Sequence, residues 1–392
     1  MTLRTRLSVM LVSTPVLAFV LVGGLMGQAS AGNGDQAFQH LRVFEEVVNL
    51  VLSNYVEEVK IDRAMEGAMR GLAEGLDPDS AYLNVKQTRE VETGAPLPDG
   101  EVGIALTRQY YLRVVAARDG SPAAKAGLQT GDYVRVIDGR PTRDMSVFEG
   151  TRLLRGQPGS KVTLTVMRGG AGDPHELVLV REKPAGPGVS GRMLGPEAGY
   201  IRIPAFRAGV VEDLRKQLTA LSRSGAAALI IDVRRTAEGP LENGIAAARL
   251  FVKTGTLARQ TGRDATDPAA VEFTAKPGDG EFQMPVQVLV TAGTSGAAEV
   301  FAAALAGNKR ATLVGEHTIG RAGLQKLVKL QENRGLWLTY AKFVGPDGVA
   351  IQGKGLEPTV AVEEPDVEFG APAPDKDVVL DAAIERLKKK AA

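Results

Sequence analysis

Between residues 285 and 325 the hydrophobic pattern changes period three times. The β-branched run PVQVLV reads as a short buried strand, and after the small-residue stretch TAGTSG the apolar residues Val300, Phe301, Ala304 and Leu305 recur at helical spacing. ATLVGE then returns to a strand pattern and ends in a second glycine-containing loop. The same alternation begins at Gly199: YIRI as strand, VVEDLRKQLTALSRSG as helix, ALIIDVR as strand, ENGIAAARLFV as helix. Strands with few polar breaks that alternate with helices predict parallel β/α units covered on both faces. The closing DKDVVLDAAIERLKKK predicts an amphipathic helix whose basic end suits the helix dipole.

Upstream the patterning is different. FQHLRVFEEVVNLVLSNYVEEV and IDRAMEGAMRGLAEGL carry apolar residues at helical spacing, with Asp62 near the second N-terminus and Gly75 near its end. The stretch EVGIALTRQYYLRVVAA predicts two strands, SPAAKAGLQTGDYVRVIDGRP a short helix and a strand pair, and MSVFEGTRLLRG an amphipathic helix. KVTLTVMRGG and HELVLVRE predict a closing hairpin. The predicted organisation is a multidomain α+β chain with segments at 1–31, 36–98, 99–183, 184–198 and 199–392. The fourth of these, rich in Pro and Gly, is a linker.

Composition narrows the chemistry. At 392 residues with 44% apolar content the chain holds more than one domain and ample core. Its 47 basic and 46 acidic residues nearly cancel, so nothing points to nucleic acid. With no cysteine, disulfides, cysteine nucleophiles and thiolate metal sites are excluded. Three scattered histidines, His40, His175 and His317, give no metal spacing, DPDSAYLN is too poor in oxygen ligands for a calcium loop, and no cofactor motif is present. Arg4 and Arg6 precede an uncharged apolar run that ends in Ala29-Ser30-Ala31, so residues 1–31 are expected to export the chain, either as a cleaved signal or as a membrane anchor. The body is then periplasmic or held at the outer face of the cytoplasmic membrane.

TAGTSGAAE places the hydroxyls of Thr294 and Ser295 and several backbone N–H groups at a helix N-terminus, an arrangement suited to nucleophilic catalysis. These residues, with VGEHTIG, Gln325 and IQGKGLEP, resemble the C-terminal processing peptidases, also called tail-specific proteases. The resemblance implies a crotonase-like or ClpP-like core. Their nucleophile loop runs Thr-Ala-Ser-Ala-Ala-Glu, and on that pattern Gly296 takes the nucleophile's place and Glu299 the Glu place. Their Gly-Lys-Gly-x-x-Gln loop supplies the base, and Arg321 stands at its Lys, with Gln325 kept. Their Asp-Leu-Arg-Asn-Asn-Pro-Gly-Gly reads DVRRTAEGP here, so Glu238 replaces the first Gly of the oxyanion region beside Gly239 and Ala297. LDPDSAYLN resembles their Leu-Asp-Pro-His-Ser-Ser-Tyr-Leu, with Asp79 for the His.

Gly offers no nucleophile, Arg cannot be deprotonated, and a carboxylate opposes a developing oxyanion. The expectation is a catalytically inactive pseudoprotease. The alternative is a serine endopeptidase that uses Ser295 with an unidentified base; Lys326, directly after Gln325, and Lys354, within IQGKG, are the candidate lysines, and Arg321 is expected to pair with Glu238 where the old loops face each other.

Residues 99–183 resemble a PDZ domain through SPAAKAGL and the following Gly131-Asp132. The resemblance implies strand addition of a protein C-terminus beside Ile104 and Ala105. The carboxylate would be held on N–H groups of Val102, Gly103 and Ile104, and Phe148 and Leu153 of the facing helix would line the groove. Expected partners are protein or peptide C-termini, with an active protease relative or an envelope adaptor as further candidates, and a homo-oligomer is compatible with the sequence.

Overall fold

The computed structural model describes residues 38–169, 172–184, 188–263, 270–371 and 374–391. The expected signal or anchor, residues 1–31, lies outside them; no described helix is long and apolar enough to cross a membrane. The chain divides into two compact units between Met69 and Arg70.

The first unit holds helix α1, residues 38–54, and most of α2, Ile61–Glu74. In α1 the large apolar side chains Leu41, Val47, Leu50, Val51 and Leu52 are exposed. Asp62 lies in the first turn of α2, the end at which the dipole favours an acid.

In the second unit, chain order runs β1 (Ala81–Leu83), α3 (Val85–Glu92), β2 (Ile104–Gln109), β3 (Tyr111–Ala117), α4 (Pro122–Lys125), β4 (Tyr133–Ile137), β5 (Arg140–Pro141), α5 (Val147–Leu153), β6 (Lys161–Met167) and β7 (His175–Val180). Next come β8 (Ser190–Met193), β9 (Ala198–Arg202), α6 (Val210–Arg223), β10 (Ala228–Asp232), α7 (Leu241–Ala248), β11 (Thr256–Thr261), β12 (Val271–Thr274) and β13 (Val286–Val290). The chain closes with α8 (Ala297–Gly307), β14 (Ala311–Gly315), β15 (Gly323–Lys329), β16 (Gly335–Val344), β17 (Val360–Ala361) and α9 (Val378–Ala391).

Strands β2-β3-β4-β6-β7 form one antiparallel sheet, with β5 paired to β4. Alternation in β6 sends Val162, Leu164 and Val166 inward, where they meet Val102, Leu106, Leu112, Val114, Val134 and Ile137. A sheet of order β17-β14-β13-β10-β9-β8 builds the core, parallel except for β8. Its two faces are both covered, which explains the scarcity of polar breaks. Leu229, Ile231, Val288 and Val290 face the cluster containing α6, α7 and α8, whereas Ile230, Leu289 and Val314 face Val379 and Ala383 of α9.

Periodicity does not reveal the third sheet, β1-β16-β11-β12 with β15 on β16, because the pairings that join β1 and β11 to β16 are remote in sequence. Ala81 is opposite Trp337, for example. This sheet carries the turn before β1 to the end of the core where the glycine loops lie.

A buried ion network fastens α9's leading segment to the end of β10. Arg234 reaches Asp232 at 2.7 Å, Asp377 at 2.7 Å and Glu364 at 3.0 Å, and the Tyr200 hydroxyl donates to Asp232 at 2.8 Å. Burial opposes ionisation of Asp232, but Arg234 and Arg202 outweigh it and hold the carboxyl below its usual range; Asp377 is lowered too, by Arg234 against burial. A lowered folded value contributes stability above the unfolded value of about 4 that is lost as pH falls. Arg234→Met should therefore cost about 3–5 kcal/mol at pH 7, with a smaller penalty near pH 3, where the carboxyls left without their arginine take up protons. Urea titrations at the two pH values check this, and a pH-independent difference would contradict it.

Candidate functional site

Three loops meet at the carboxyl ends of β10, β13 and β14, where an open parallel sheet places its ligand crevice. The loop after β13 is drawn onto the loop after β10: Thr294 Oγ1 donates to the Val233 carbonyl at 2.9 Å and the Ser295 N–H to the Thr236 carbonyl at 2.9 Å. Gly296 then turns into α8 with φ 64° and ψ −121°, a conformation that L side chains rarely adopt. This is the sharp strand-to-helix elbow on which a nucleophile is usually carried. A Cβ built on Gly296 would come no nearer than 3.6 Å to Leu241 and 3.7 Å to the Arg321 carbonyl, so there is space for a side chain that the residue lacks.

Glu299, in the first turn of α8, joins the loops. Its carboxylate is fully buried and accepts from four donors: the N–H groups of Gly296 at 3.1 Å, Gly320 at 2.7 Å and Arg321 at 2.8 Å, and the Thr318 hydroxyl. Burial pushes this carboxyl up, and the four donors pull against that shift without cancelling it. The sequence places Glu299 in the motif but gives it no role; its acid group between two loop glycines, with Thr318 in the second loop, was the available signal.

Arg321 does not pair with Glu238, contrary to the sequence expectation. Its guanidinium pairs with Asp79 through Nη2, and Nε lies 3.2 Å from the other Asp79 oxygen. Nη1 donates to the Leu106 carbonyl of β2 at 2.5 Å. Asp79 itself is set by a turn in which Asp77 accepts from the N–H groups of Asp79 and Ser80, both at 2.8 Å. Both Asp79 and Arg321 depart from the pattern the sequence resembles, and they meet as one ion pair across 242 positions.

Glu238 turns toward the antiparallel domain. It accepts from Arg118 at 2.9 Å and Arg207 at 2.5 Å, while Glu101 takes the same two arginines and Arg155. Burial opposes the Arg118 charge, but Glu238 and Glu101 more than offset it and hold the guanidinium still further into its charged range. The carboxylate at position 238 is therefore neutralised by two cations. Gly239 has φ 117°, and a Cβ there would lie 2.0 Å from the Phe206 carbonyl oxygen, so only glycine fits.

The other sequence-selected residues fall as follows. Ser295 is buried, and no lysine amine bonds to its hydroxyl among the described residues; Lys354 is exposed, and Lys326 is exposed with its amine over the Tyr340 ring. Ala297 is buried at the start of α8, and Gln325 bonds to Thr339 Oγ1 at 3.1 Å on the third sheet. Val102 is wholly buried, Gly103 has φ 74°, and Ile104 and Ala105 are half-buried on β2. Gly103 has no room for a side chain, since a Cβ would sit 2.3 Å from Ser121 Cβ. Leu153 is half-buried against the domain's core. Phe148 was expected in a peptide groove, but it packs with Ala81 and Leu83 and against Trp337, with ring centroids 5.8 Å apart. No group of three or more metal-ligating side chains occurs among the described residues.

The antiparallel domain thus contacts the crevice loops through Arg118 and Leu106, and the third sheet through Phe148. Residues 197–362 match the profile of peptidase family S41, and residues 113–168 match that of the PDZ domain. The carboxy-terminal-processing protease of Bartonella bacilliformis is 30% identical over 87% of this chain and 79% of its own length. A carboxy-terminal processing protease of Bacillus subtilis is 29% identical over 87% of this chain and 72% of its own. Among solved structures, a photosystem II D1 C-terminal processing protease superposes with a TM-score of 0.67 at 26% identity, covering 80% of this chain and 85% of that one.

Proposed function

This chain belongs to peptidase family S41, among the carboxy-terminal processing proteases that carry a PDZ domain, and from that premise we propose that it binds protein C-terminal tails without cutting them. The observation that carries this reading is the Asp79–Arg321 pair. Where a general base must give up its charge to accept a proton, this chain has a guanidinium that remains protonated and is further fixed by a carboxylate. The elbow at Gly296 keeps its shape and has no atom to attack with.

Tail binding is supported by the geometry around Gly103. The turn lies at the start of β2, an end strand of its sheet, so among the described residues one edge has no strand partner for a peptide to compete with. Arg118 lies beside Gly103 and keeps one buried N–H, Nε, without a partner. An added carboxylate would find an unpaired guanidinium N–H there. The tails are those of exported or envelope proteins, consistent with the sequence of residues 1–31, and the chain serves as a scaffold or as a regulator of an active relative.

The test uses the chain from Gly32 onward, with a fluorescent peptide of apolar C-terminal sequence as free acid and as amide. The free acid is expected to bind at least tenfold tighter, in keeping with a charge-assisted contact, and an unfolded protein with the same tail is expected to remain intact. Cleavage abolished by Ser295→Ala would establish the alternative enzyme, with the loop rebuilt around Ser295.

A further inference from the structure

We propose that Arg321 gates the peptide edge of the PDZ domain, so that a bound tail must displace it. The gate rests on the tail-binding reading above and adds to it a built-in competitor. A peptide that adds to β2 does so through backbone carbonyls and N–H groups on the strand's outer edge, alternate residues supplying each pair. Ile104 and Leu106 are two residues apart and share that direction. The β2–β3 register slips between Ala105 and Leu106, a bulge of the kind that re-aims backbone groups. Val114, the register partner of Leu106, sends its N–H to the Asp132 carbonyl, leaving Leu106 to others.

The Leu106 carbonyl is taken by Arg321 Nη1. This donor is charged, is anchored on its other side by Asp79, and comes from a core loop that Glu299 holds in place. An incoming tail offers a neutral amide N–H to the same oxygen and must break a charge-assisted bond to do so. The competition is local. Arg321 leaves the Val102-Gly103-Ile104 turn untouched among the described contacts, so carboxylate recognition and strand addition are separable. A tail docks first by its carboxylate, and its upstream residues zip along β2 only when the guanidinium swings away from Leu106.

The gate makes a directional prediction. Removing a competitor tightens binding, whereas removing a structural support loosens it. Arg321→Ala is expected to lower the dissociation constant of the free-acid peptide by about tenfold, and Asp79→Asn, which frees Arg321 without deleting it, by about threefold. A two-residue peptide, too short to reach Leu106, should bind all three proteins alike. Equal affinity of wild type and both variants for the long peptide, or weaker binding by the variants, would overturn the gate and leave tail binding standing. Failure of every variant to distinguish the free acid from the amide would overturn tail binding and the gate with it. Should Arg321→Ala not fold, Asp79→Asn decides alone, and an unchanged dissociation constant for it rejects the gate.

Discussion

Cleavage of an unfolded protein is expected to appear when Gly296→Ser, Arg321→Lys and Glu238→Gly are combined, and to be absent from each single variant. A serine at position 296 has space, since its Cβ meets only ordinary van der Waals neighbours. Its positive φ costs about 1–3 kcal/mol, the strain this elbow stores in any enzyme that uses it. A lysine at position 321 supplies an amine able to lose its proton, which arginine cannot. Glycine at position 238 removes a carboxylate and restores the backbone freedom of an oxyanion turn; one such donor is worth about a hundredfold to a thousandfold in rate.

Asp79 sets the size of the effect. A carboxylate beside an amine raises the amine's pKa by about 1–3 units, so with Asp79 retained only a small fraction of the molecules would carry a neutral amine at position 321. Adding Asp79→His should therefore raise the rate by about tenfold to a thousandfold and move the activity optimum to lower pH. Initial rates from pH 6 to 10 test both statements. A folded fourfold variant that cuts nothing at any pH would show that the crevice has lost more than its reacting groups.

Glu299→Ala is expected to cost about 4 kcal/mol or more, an exceptional loss for one side chain. It would leave the N–H groups of Gly296, Gly320 and Arg321 without their acceptor inside the protein, each at about 1–3 kcal/mol; Thr318 retains a bond from the Leu356 N–H. Glu299→Gln keeps the volume but points an amide N–H₂ at two N–H donors, so it should recover less than half of the loss. Thermal unfolding gives the magnitude, and protection of the Gly320 and Arg321 amides from hydrogen exchange shows whether both loops loosen together. A loss below about 1 kcal/mol would mean that the loops hold themselves.

Much of this architecture was legible in the chain because it is local. The helices and the strands of the parallel sheet are set by periodicity within windows of about ten residues, and Val286–Val290 is buried on both faces in the structure as its composition implied. The third sheet was not legible. β1 is three residues long and finds its partner at Trp337, a match that no local pattern encodes. The site was legible as a set of departures but not as a set of contacts. Arg321 and Glu238 have opposite charges and belong to one family mechanism, which made their pairing the natural expectation. In the structure the antiparallel domain enters between them, giving Arg118 to Glu238 and the Leu106 carbonyl to Arg321. A clue lay in the sequence all the same: against the pattern it resembles, position 79 has an acid where that pattern has a histidine and position 321 an arginine where it has a lysine, and complementary charge at two such positions is what a pair leaves behind.

The stretch after β17 has a bearing on how such a domain is inherited. Phe369 stacks on His175 with ring centroids 4.2 Å apart and lies under the Arg168 guanidinium, which also donates to the carbonyls of Val367 and Glu368. Arg168 and Glu368 are 200 positions apart. A gene segment that encodes only residues 99–183 would thus specify a domain missing part of its own wall. Recombination that moved this PDZ domain to another protein would have to carry two distant coding stretches together or replace the lost strip with a new one, so the domain and the peptidase-like core are expected to have travelled through evolution as a single unit of exchange.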